Sequence, residues 1–154
     1  YLSITTERLA GYKKALEDYD IPFDESYVKY CLYGGKIEAE NEAAIEEMLT
    51  LPEPPDAIFT ASDRLTTGCM AVFQRKGIKV PEEIAIVGFT NISVAELLNP
   101  PLTTVMQPAM EMGQQAVELL IRLIEHPQKT DRFETRSLKT SLTIRESSVG
   151  KTVV

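Results

Sequence analysis

The segment AIFTASDRLTTGCMAVFQRKGIKVPEEIAIVGF at residues 57–89 predicts the fold. Two apolar runs of strand length, residues 57–61 and 84–87, flank a helical pattern that Gly77 is suited to end. A continuous apolar run is typical of a parallel strand covered on both faces. A strand, a helix and a strand in this order predict a βαβ unit. We therefore expect an α/β fold with a doubly wound, mostly parallel sheet.

The same alternation extends on both sides of this unit. Residues 7–18 and 37–51 carry apolar side chains at helical spacing, and residues 28–33 (VKYCLY) are β-branched and aromatic, which is typical of a strand. Residues 102–107 are predicted to be extended, and a helix is predicted from Pro108 to about residue 125. One apolar stripe of that helix consists of Gly113, Val117, Leu120, Ile121 and Ile124.

Residues 137–145 alternate between apolar and polar side chains, which predicts a late strand near a sheet edge. Its apolar side would consist of Leu138, Leu142 and Ile144. Its wet side would consist of Ser137, Lys139 and Arg145.

Charge and composition argue against two classes of surface. The 154 residues contain 16 Lys and Arg against 23 Asp and Glu, a net charge of −7, whereas non-specific binding to nucleic acid needs a basic stripe. Apolar stretches are far shorter than the ~20 residues of a membrane span. No basic segment precedes an apolar one, so no signal peptide is visible. Because the chain begins with Tyr1 rather than Met, we expect a fragment or processed form.

Few residues are suited to covalent or metal chemistry. The single histidine, His126, ends a helical pattern, where a cation is favourable, and a structural or solvated role is the simpler interpretation. Cys31 and Cys69 stand in apolar settings, which favours free thiols over a disulfide or a reactive thiol. The glutamates between residues 38 and 47 read as a solvated helix face. Without a nucleophile motif, a glycine-rich phosphate loop or a zinc ligand set, we predict no enzyme, cofactor or metal site.

Polar residues gather where the predicted strands end. Ligands of open α/β sheets bind in the crevice beyond the carboxyl ends of the strands. Ser62 and Asp63 follow one strand, Thr90 and Asn91 follow the next, and Arg8 in the first turn of the first helix should point to the same edge. These groups could hydrogen-bond a polar ligand from several sides. A helix cap at Asp63 and a solvated charge at Arg8 would explain the same residues.

Five segments of the chain occur in a characteristic order. They are RLAGYKKAL at 8–16, PDAIFTASD at 55–63 followed by Gly68 and Met70, GIKVPEEIAIVGF at 77–89, PPLTTV at 100–105 followed by Gln107 and Pro108, and IRES at 144–147. In this order they resemble segments of LacI/GalR-type transcriptional regulators. The resemblance covers almost the whole chain. It implies a type I periplasmic-binding-protein-like module, in which two α/β lobes close on a small ligand.

The resemblance also implies how the chain divides. Residues 1–100 would form most of the second lobe, 101–128 a crossover and helix of the first lobe, 129–148 a strand that returns to the second lobe, and 149–154 a tail. The strand that should precede the first helix would be missing, which leaves an unpaired sheet edge. DNA binding by such a cytoplasmic repressor would depend on an N-terminal headpiece outside these residues.

Site roles follow from the resemblance residue by residue. Arg8 matches the effector-binding arginine of the family, Ser62 and Asp63 match the pair that contacts or orients the ligand, and Gln107 falls on the crossover near the cleft. The ligand implied is a sugar or a related polar metabolite.

Two departures from the family pattern bear on the ligand. Thr90 and Asn91 stand where the family usually has an aspartate, and Lys36 stands where an aromatic ring often stacks on the ligand. Because sugar sites depend on both features, we expect a modified or acidic sugar, or another polar metabolite, rather than an ordinary pyranose.

The resemblance further implies a homodimer that packs second lobe on second lobe, through Met70, Phe73, Leu97 and Leu98. An ordinary place in the lobe core is the alternative for these four residues. The alternative for the whole chain is a periplasmic sugar-binding protein of an uptake system, which shares the fold. The double proline, the VPEEIAIVGF segment and the Arg145–Ser147 ending favour the regulator.

Overall fold

A computed structural model of the protein describes residues 3–126 and 134–150. Its helices and strands are α1 (Ser3–Asp18), α2 (Glu38–Leu49), β1 (Ala57–Thr60), α3 (Asp63–Lys76), β2 (Ala85–Phe89), β3 (Thr103–Met106), α4 (Ala109–Glu125) and β4 (Ser141–Thr143). Single 3-10 turns lie at Glu25–Tyr27, Ala95–Leu97 and Glu146–Ser148.

The strands form one mixed sheet in the order β1-β2-β3-β4. The first three strands are parallel, with Ile58 opposite Ile86, and β4 runs antiparallel to β3. The predicted βαβ unit is β1-α3-β2. Ser62 caps α3 by accepting a hydrogen bond from the Leu65 amide at 3.3 Å, and Gly77 ends it in the left-handed conformation at φ 69°. The α/β fold with a mostly parallel sheet is confirmed.

The core lies between the sheet and helices α2 and α3. Ile58 on β1 and Ile86 on β2 are buried against Val72 and Phe73 of α3. Phe59 alternates with Ile58 on β1 and is 46% exposed, so the expected burial of both faces is wrong at this strand. Within the described residues α2 and α3 cover a single face of β1, which leaves Phe59 on the other.

The glutamates of α2 are only in part a solvated face. Arg75 near the end of α3 donates to Glu38 and Glu42, and Lys76 donates to Glu46 at 2.6 Å. These pairs are exposed, so each contributes little to stability. All three pairs join α2 to α3, and the two helices lie side by side over the sheet.

The predicted strand at residues 28–33 does not form. A 3-10 turn ends at Tyr27 before it, and Gly34 and Gly35 turn the chain after it at positive φ. A strand needs a neighbour that completes its backbone hydrogen bonds, and in the described part of the chain no strand lies beside β1 on the edge away from β2. Cys31 in this segment is half-buried and Cys69 is fully buried, both as free thiols, as predicted.

Helix α4 is confirmed, but its apolar stripe is exposed. Val117 is 56% and Ile124 70% exposed, and no described residue of the helix is buried. His126 lies at its C-terminal cap, where its backbone amide donates to the Arg122 carbonyl at 3.0 Å.

The late strand is shorter than predicted and its sides are assigned wrongly. Only Ser141–Thr143 pairs with β3, at the edge of the sheet. Leu142 and Ile144, predicted to be inside, are 59% and 63% exposed. Arg145, predicted to be wet, donates to the Leu102 carbonyl at 2.7 Å. An arginine can be held inward where carbonyl and hydroxyl oxygens satisfy its donors.

Strand β3 joins the same sheet as β1 and β2, so the segment 101–128 begins inside that sheet. The division between two lobes that the resemblance implies stays a prediction. Residues 129–133 of the predicted return strand and residues 151–154 of the predicted tail lie outside the described residues.

Candidate functional site

Helix α1 places Arg8 at the carboxyl end of the sheet. Nη1 of Arg8 donates to the carbonyl oxygen of Ala61 at 2.5 Å, directly after β1. The guanidinium carbon lies 4.5 Å from the centre of the Phe89 ring, at the end of β2. Partial burial lowers the pKa of this guanidinium from its ordinary value, and an arginine stays charged under such conditions. A fixed cation therefore stands where the first two strands end.

Asp63 lies at the same edge of the sheet as Arg8, in the first turn of α3. Its Oδ1 accepts hydrogen bonds from the Thr90 hydroxyl at 2.6 Å and from the Asn91 amide at 3.2 Å. A carboxylate has about four acceptor positions on its two oxygens, and Asp63 is exposed. Asp63 can therefore accept hydrogen bonds from a ligand while it holds the turn after β2.

The side chains of Thr90 and Asn91 make hydrogen bonds within the protein. Thr90 is 1% exposed, and its hydroxyl also accepts from the Ile92 amide at 3.2 Å. The Asn91 side chain makes two hydrogen bonds to the backbone of Gln107. Both residues thus lie at the predicted edge of the sheet, where their side chains bond to other residues of the protein and line neither cleft.

Two clefts open at this edge of the sheet. The smaller has a volume of about 320 Å³ and the larger, between α1 and α4, about 470 Å³. Arg8, Phe89 and Gln107 line both clefts. The smaller cleft is completed by Gly34, Ser62, Asp63 and Arg64. Four of the predicted site residues, Arg8, Ser62, Asp63 and Gln107, therefore meet around one opening.

Lys36 lines neither cleft. Its turn nevertheless reaches the site through Gly35, where an added Cβ would lie 3.1 Å from the carbonyl carbon of Arg64. Sequence reasoning missed Gly34, Arg64 and Phe89 as lining residues. The double glycine and the position of Phe89 at a strand end were available signals, whereas the approach of the turn to α3 is a tertiary contact.

The residues predicted for a dimer interface occupy different environments. Phe73 is 2% exposed and belongs to the core. Met70 and Leu98 are half-buried and pack against that core, while Leu97 is 83% exposed. For Phe73 the alternative of an ordinary core residue explains the position.

In residues 3–126 and 134–150, no group of three or more His, Cys, Asp or Glu side chains could hold a metal ion. Nor does any helix in those two ranges have the length and apolar character needed to cross a membrane.

The mostly parallel sheet with its cleft at the carboxyl edge is typical of an α/β module of the periplasmic-binding-protein kind. Residues 2–148 match the family model of the periplasmic binding protein-like domain, and the chain belongs to this family. Its relatives within that family confirm the resemblance to LacI/GalR-type regulators.

One relative is the HTH-type transcriptional repressor PurR of Vibrio atlanticus (strain LGP32), 36% identical over 144 residues, which are 86% of this chain and 42% of that repressor. The chain is also similar to the transcriptional regulator CelR in its cellobiose complex, with a TM-score of 0.80 and 35% identity over 93% of this chain and 42% of that one. A LacI family regulator from Enterococcus faecium with bound ribose has a TM-score of 0.74 and 29% identity over 92% of this chain and 50% of that one. The chain thus spans half or less of the length of each of these three proteins.

Proposed function

We propose that this chain is the effector-binding part of a LacI-type transcriptional regulator and not an enzyme. A small polar, sugar-like molecule binds the cleft and modulates DNA binding by a headpiece outside these residues. Two findings support this: the PurR relative is a repressor, and the CelR and Enterococcus faecium structures hold cellobiose and ribose. The repressor relatives also favour a regulator over a periplasmic uptake protein.

The observation that carries the proposal is the meeting of Arg8, Asp63 and Gln107 around one cleft of about 320 Å³. This volume lies at the lower end of small-molecule sites, which span roughly 300–1,000 Å³. The guanidinium donates hydrogen bonds, the carboxylate accepts them from hydroxyl groups, and the amide does both. Such a set suits a ligand with many hydroxyl groups.

The chemistry of the cleft favours a modified or acidic sugar. The Arg8 guanidinium covers one face of the Phe89 ring at 4.5 Å, so that face cannot stack on a pyranose. Part of the Asp63 carboxylate is bonded to Thr90 and Asn91. A neutral sugar would therefore find less aromatic surface and fewer free carboxylate acceptors in this cleft. The Arg8 guanidinium can pair with an acidic group of the ligand, which favours an acidic sugar.

The ligand acts by shifting a population of lobe arrangements. A ligand that binds the closed cleft better than the open one favours closure, and the closed form alters the DNA-binding segments. The size of the shift is set only by the difference in affinity between the two arrangements.

The experiment is an Arg8→Ala substitution in the complete regulator. Loss of a charged hydrogen bond to the ligand costs about 1.5–3 kcal/mol, or roughly a 10- to 100-fold loss of effector affinity. Operator affinity without effector should stay unchanged. Calorimetry with cellobiose, ribose, glucose and glucuronate measures the first, and operator titration the second.

Arg75→Ala is the matched control, because Arg75 pairs with glutamates of α2 and lines neither cleft. An effector response of Arg8→Ala equal to that of the control would contradict the assignment of Arg8. Neutral hexoses that far outcompete glucuronate would contradict the acidic-sugar inference.

We also infer that the complete regulator is a cytoplasmic homodimer and that Leu97 lies in its interface. Leu97 is 83% exposed, and Leu98 next to it in the sequence is half-buried against the core. Large exposed apolar side chains of this kind are typical of an interface when they form part of an apolar patch. Leu97→Asp should shift the sedimentation coefficient from dimer toward monomer. A concentration-independent monomer of the unsubstituted protein would remove this inference.

A further inference from the structure

The side chain of Asn91 continues the β2–β3 ladder where the backbone of β2 leaves it. The Thr90 amide donates to the Val105 carbonyl at 3.0 Å as the last backbone bond between the two strands. Beyond it, the Gln107 amide donates to Asn91 Oδ1 at 2.8 Å, and Asn91 Nδ2 donates to the Gln107 carbonyl at 2.9 Å. A side-chain amide offers the same kinds of donor and acceptor as a peptide group. It therefore engages both backbone groups of Gln107.

The other end of Asn91 is tied to the cleft. Its backbone amide donates to Oδ1 of Asp63 at 3.2 Å, the atom that also accepts from Thr90. Asp63, Asn91 and Gln107 thus form one connected set, from the start of α3 to the segment that leads into α4. Gln107 lines both clefts, and Asp63 lines the smaller one.

We propose that Asn91 is a positioning residue that fixes Gln107 relative to Asp63 across the cleft and does not contact the ligand. Both polar atoms of its side chain are already bonded to Gln107, and Asn91 lines neither cleft. The inference rests on the proposed function, because only a ligand-binding cleft gives this spacing a role. It assigns Asn91 a different part from the ligand contact that the sequence predicts.

The test uses Asn91→Asp in the complete regulator. An ionised carboxylate puts a second oxygen against the Gln107 carbonyl, in the place from which Nδ2 now donates at 2.9 Å. Repulsion between these two oxygens pushes the side chain away from Gln107, so the bond from the Gln107 amide is weakened as well. Protonation of the introduced carboxyl restores a donor at that place. The neutral form makes the extra bond, and the Asp63 carboxylate, which accepts from the backbone amide of residue 91, lies close to the new charge. Both effects should raise the pKa of this carboxyl above the ordinary value of about 3.9. The pair to Gln107 is then intact below that pKa and is lost as pH rises through it.

Two measurements between pH 4.5 and 7.5 follow from this titration. The protection factor of the Gln107 amide against hydrogen exchange should fall roughly three- to tenfold with rising pH in Asn91→Asp and stay flat in the unsubstituted protein. Affinities for cellobiose, ribose and glucuronate, expressed as the ratio of variant to unsubstituted protein at each pH, should fall by a similar factor over the same range. Gln74→Glu, an amide-to-carboxylate change at an exposed position of α3, is the matched control and should show neither trend.

Each outcome separates the inference from the proposed function. Protection of Gln107 equal to that of the unsubstituted protein at every pH would overturn the Asn91–Gln107 pair. Loss of protection with an affinity ratio that stays constant would reduce Asn91 to a structural role and overturn positioning. Asn91→Ala removes both bonds without adding charge, so it should lower protection and affinity at every pH and decides the matter if Asn91→Asp fails to fold. Failure of the unsubstituted protein to bind any of the three sugars counts against the proposed function, whereas the exchange data still decide the pair.

Discussion

Ser147→Ala should destabilise the protein because it removes two buried hydrogen bonds, although it removes no apolar contact. Ser147 is fully buried, and its hydroxyl donates to the Ile86 carbonyl on β2 at 2.7 Å while it accepts from the Thr103 amide on β3 at 2.8 Å. One hydroxyl group thus links the backbones of two neighbouring strands. Alanine removes only this oxygen and leaves the methylene carbon in place.

The expected cost comes from two buried groups that lose a partner. Thr103 is 2% exposed, so its amide has little access to water as a replacement acceptor. An unsatisfied buried donor or acceptor costs about 1–3 kcal/mol, and a carbonyl with a second lone pair loses less than an amide. The sum is about 2–4 kcal/mol. At roughly 2–4 °C per kcal/mol for a protein of this size, Tm should fall by about 5–15 °C.

Urea and thermal unfolding followed by circular dichroism measure this change. The urea midpoint should decrease with the m-value unchanged, because the substitution adds no exposed surface on unfolding. Ser93→Ala, at an exposed serine in the turn after β2, is the matched control. If the two variants lie within about 0.5 kcal/mol of each other, the scatter usual for surface substitutions, the role assigned to the Ser147 hydroxyl is refuted.

Two further substitution or labelling experiments check the packing. Gly88→Ala should lower the free energy of unfolding by about 1–3 kcal/mol, because the new Cβ would lie 2.8 Å from Cγ2 of the buried Thr66. Its control is Gly113→Ala in α4, where nothing lies within 4 Å of the added Cβ. This control should be neutral or stabilising in the same unfolding assay. Burial raises the pKa of the Cys69 thiol to about 12, so iodoacetamide at pH 8 should leave Cys69 unlabelled until the protein is denatured. Burial together with the charge of Glu40 also raises the pKa of the Cys31 thiol. Because Cys31 is only half-buried and Cys69 is buried, mass spectrometry should find Cys31 labelled first.

The IRES segment at residues 144–147 has roles in the structure that the alternation of the sequence does not predict. Residues 144–147 are part of the family resemblance, yet the alternation of residues 137–145 places Arg145 on a wet face. In the structure Arg145 bonds to the Leu102 carbonyl and the Thr104 hydroxyl, and Ser147 links β2 to β3. Alternation reports only which side of a strand a residue occupies, and β4 is too short for that rule to apply.

The site divides in the same way between local pattern and tertiary contact. Arg8, Ser62 and Asp63 could be placed at one cleft because the carboxyl ends of parallel strands meet at one edge of a sheet. Gln107 could be placed there only through the family resemblance. The bonds of Asn91 to Gln107 could not be predicted, since they join the segments that follow two different strands, β2 and β3. The family position predicts Lys36 at the site, whereas in the structure Gly34 of the same turn lines the cleft.

Three features could be predicted from spacing and residue type along the chain: the alternation of strands and helices, the caps of α3, and the edge of the sheet at which polar residues collect. These features depend on spacing along the chain and on the conformations that single residues adopt, which a sequence displays directly. Three other features became visible only in the folded chain: residues 28–33 are irregular, the stripe of α4 is exposed, and Asn91 and Ser147 complete hydrogen bonds between neighbouring segments of the sheet. Each of these outcomes depends on which other segment lies within bonding distance, and that is a property of the folded chain as a whole.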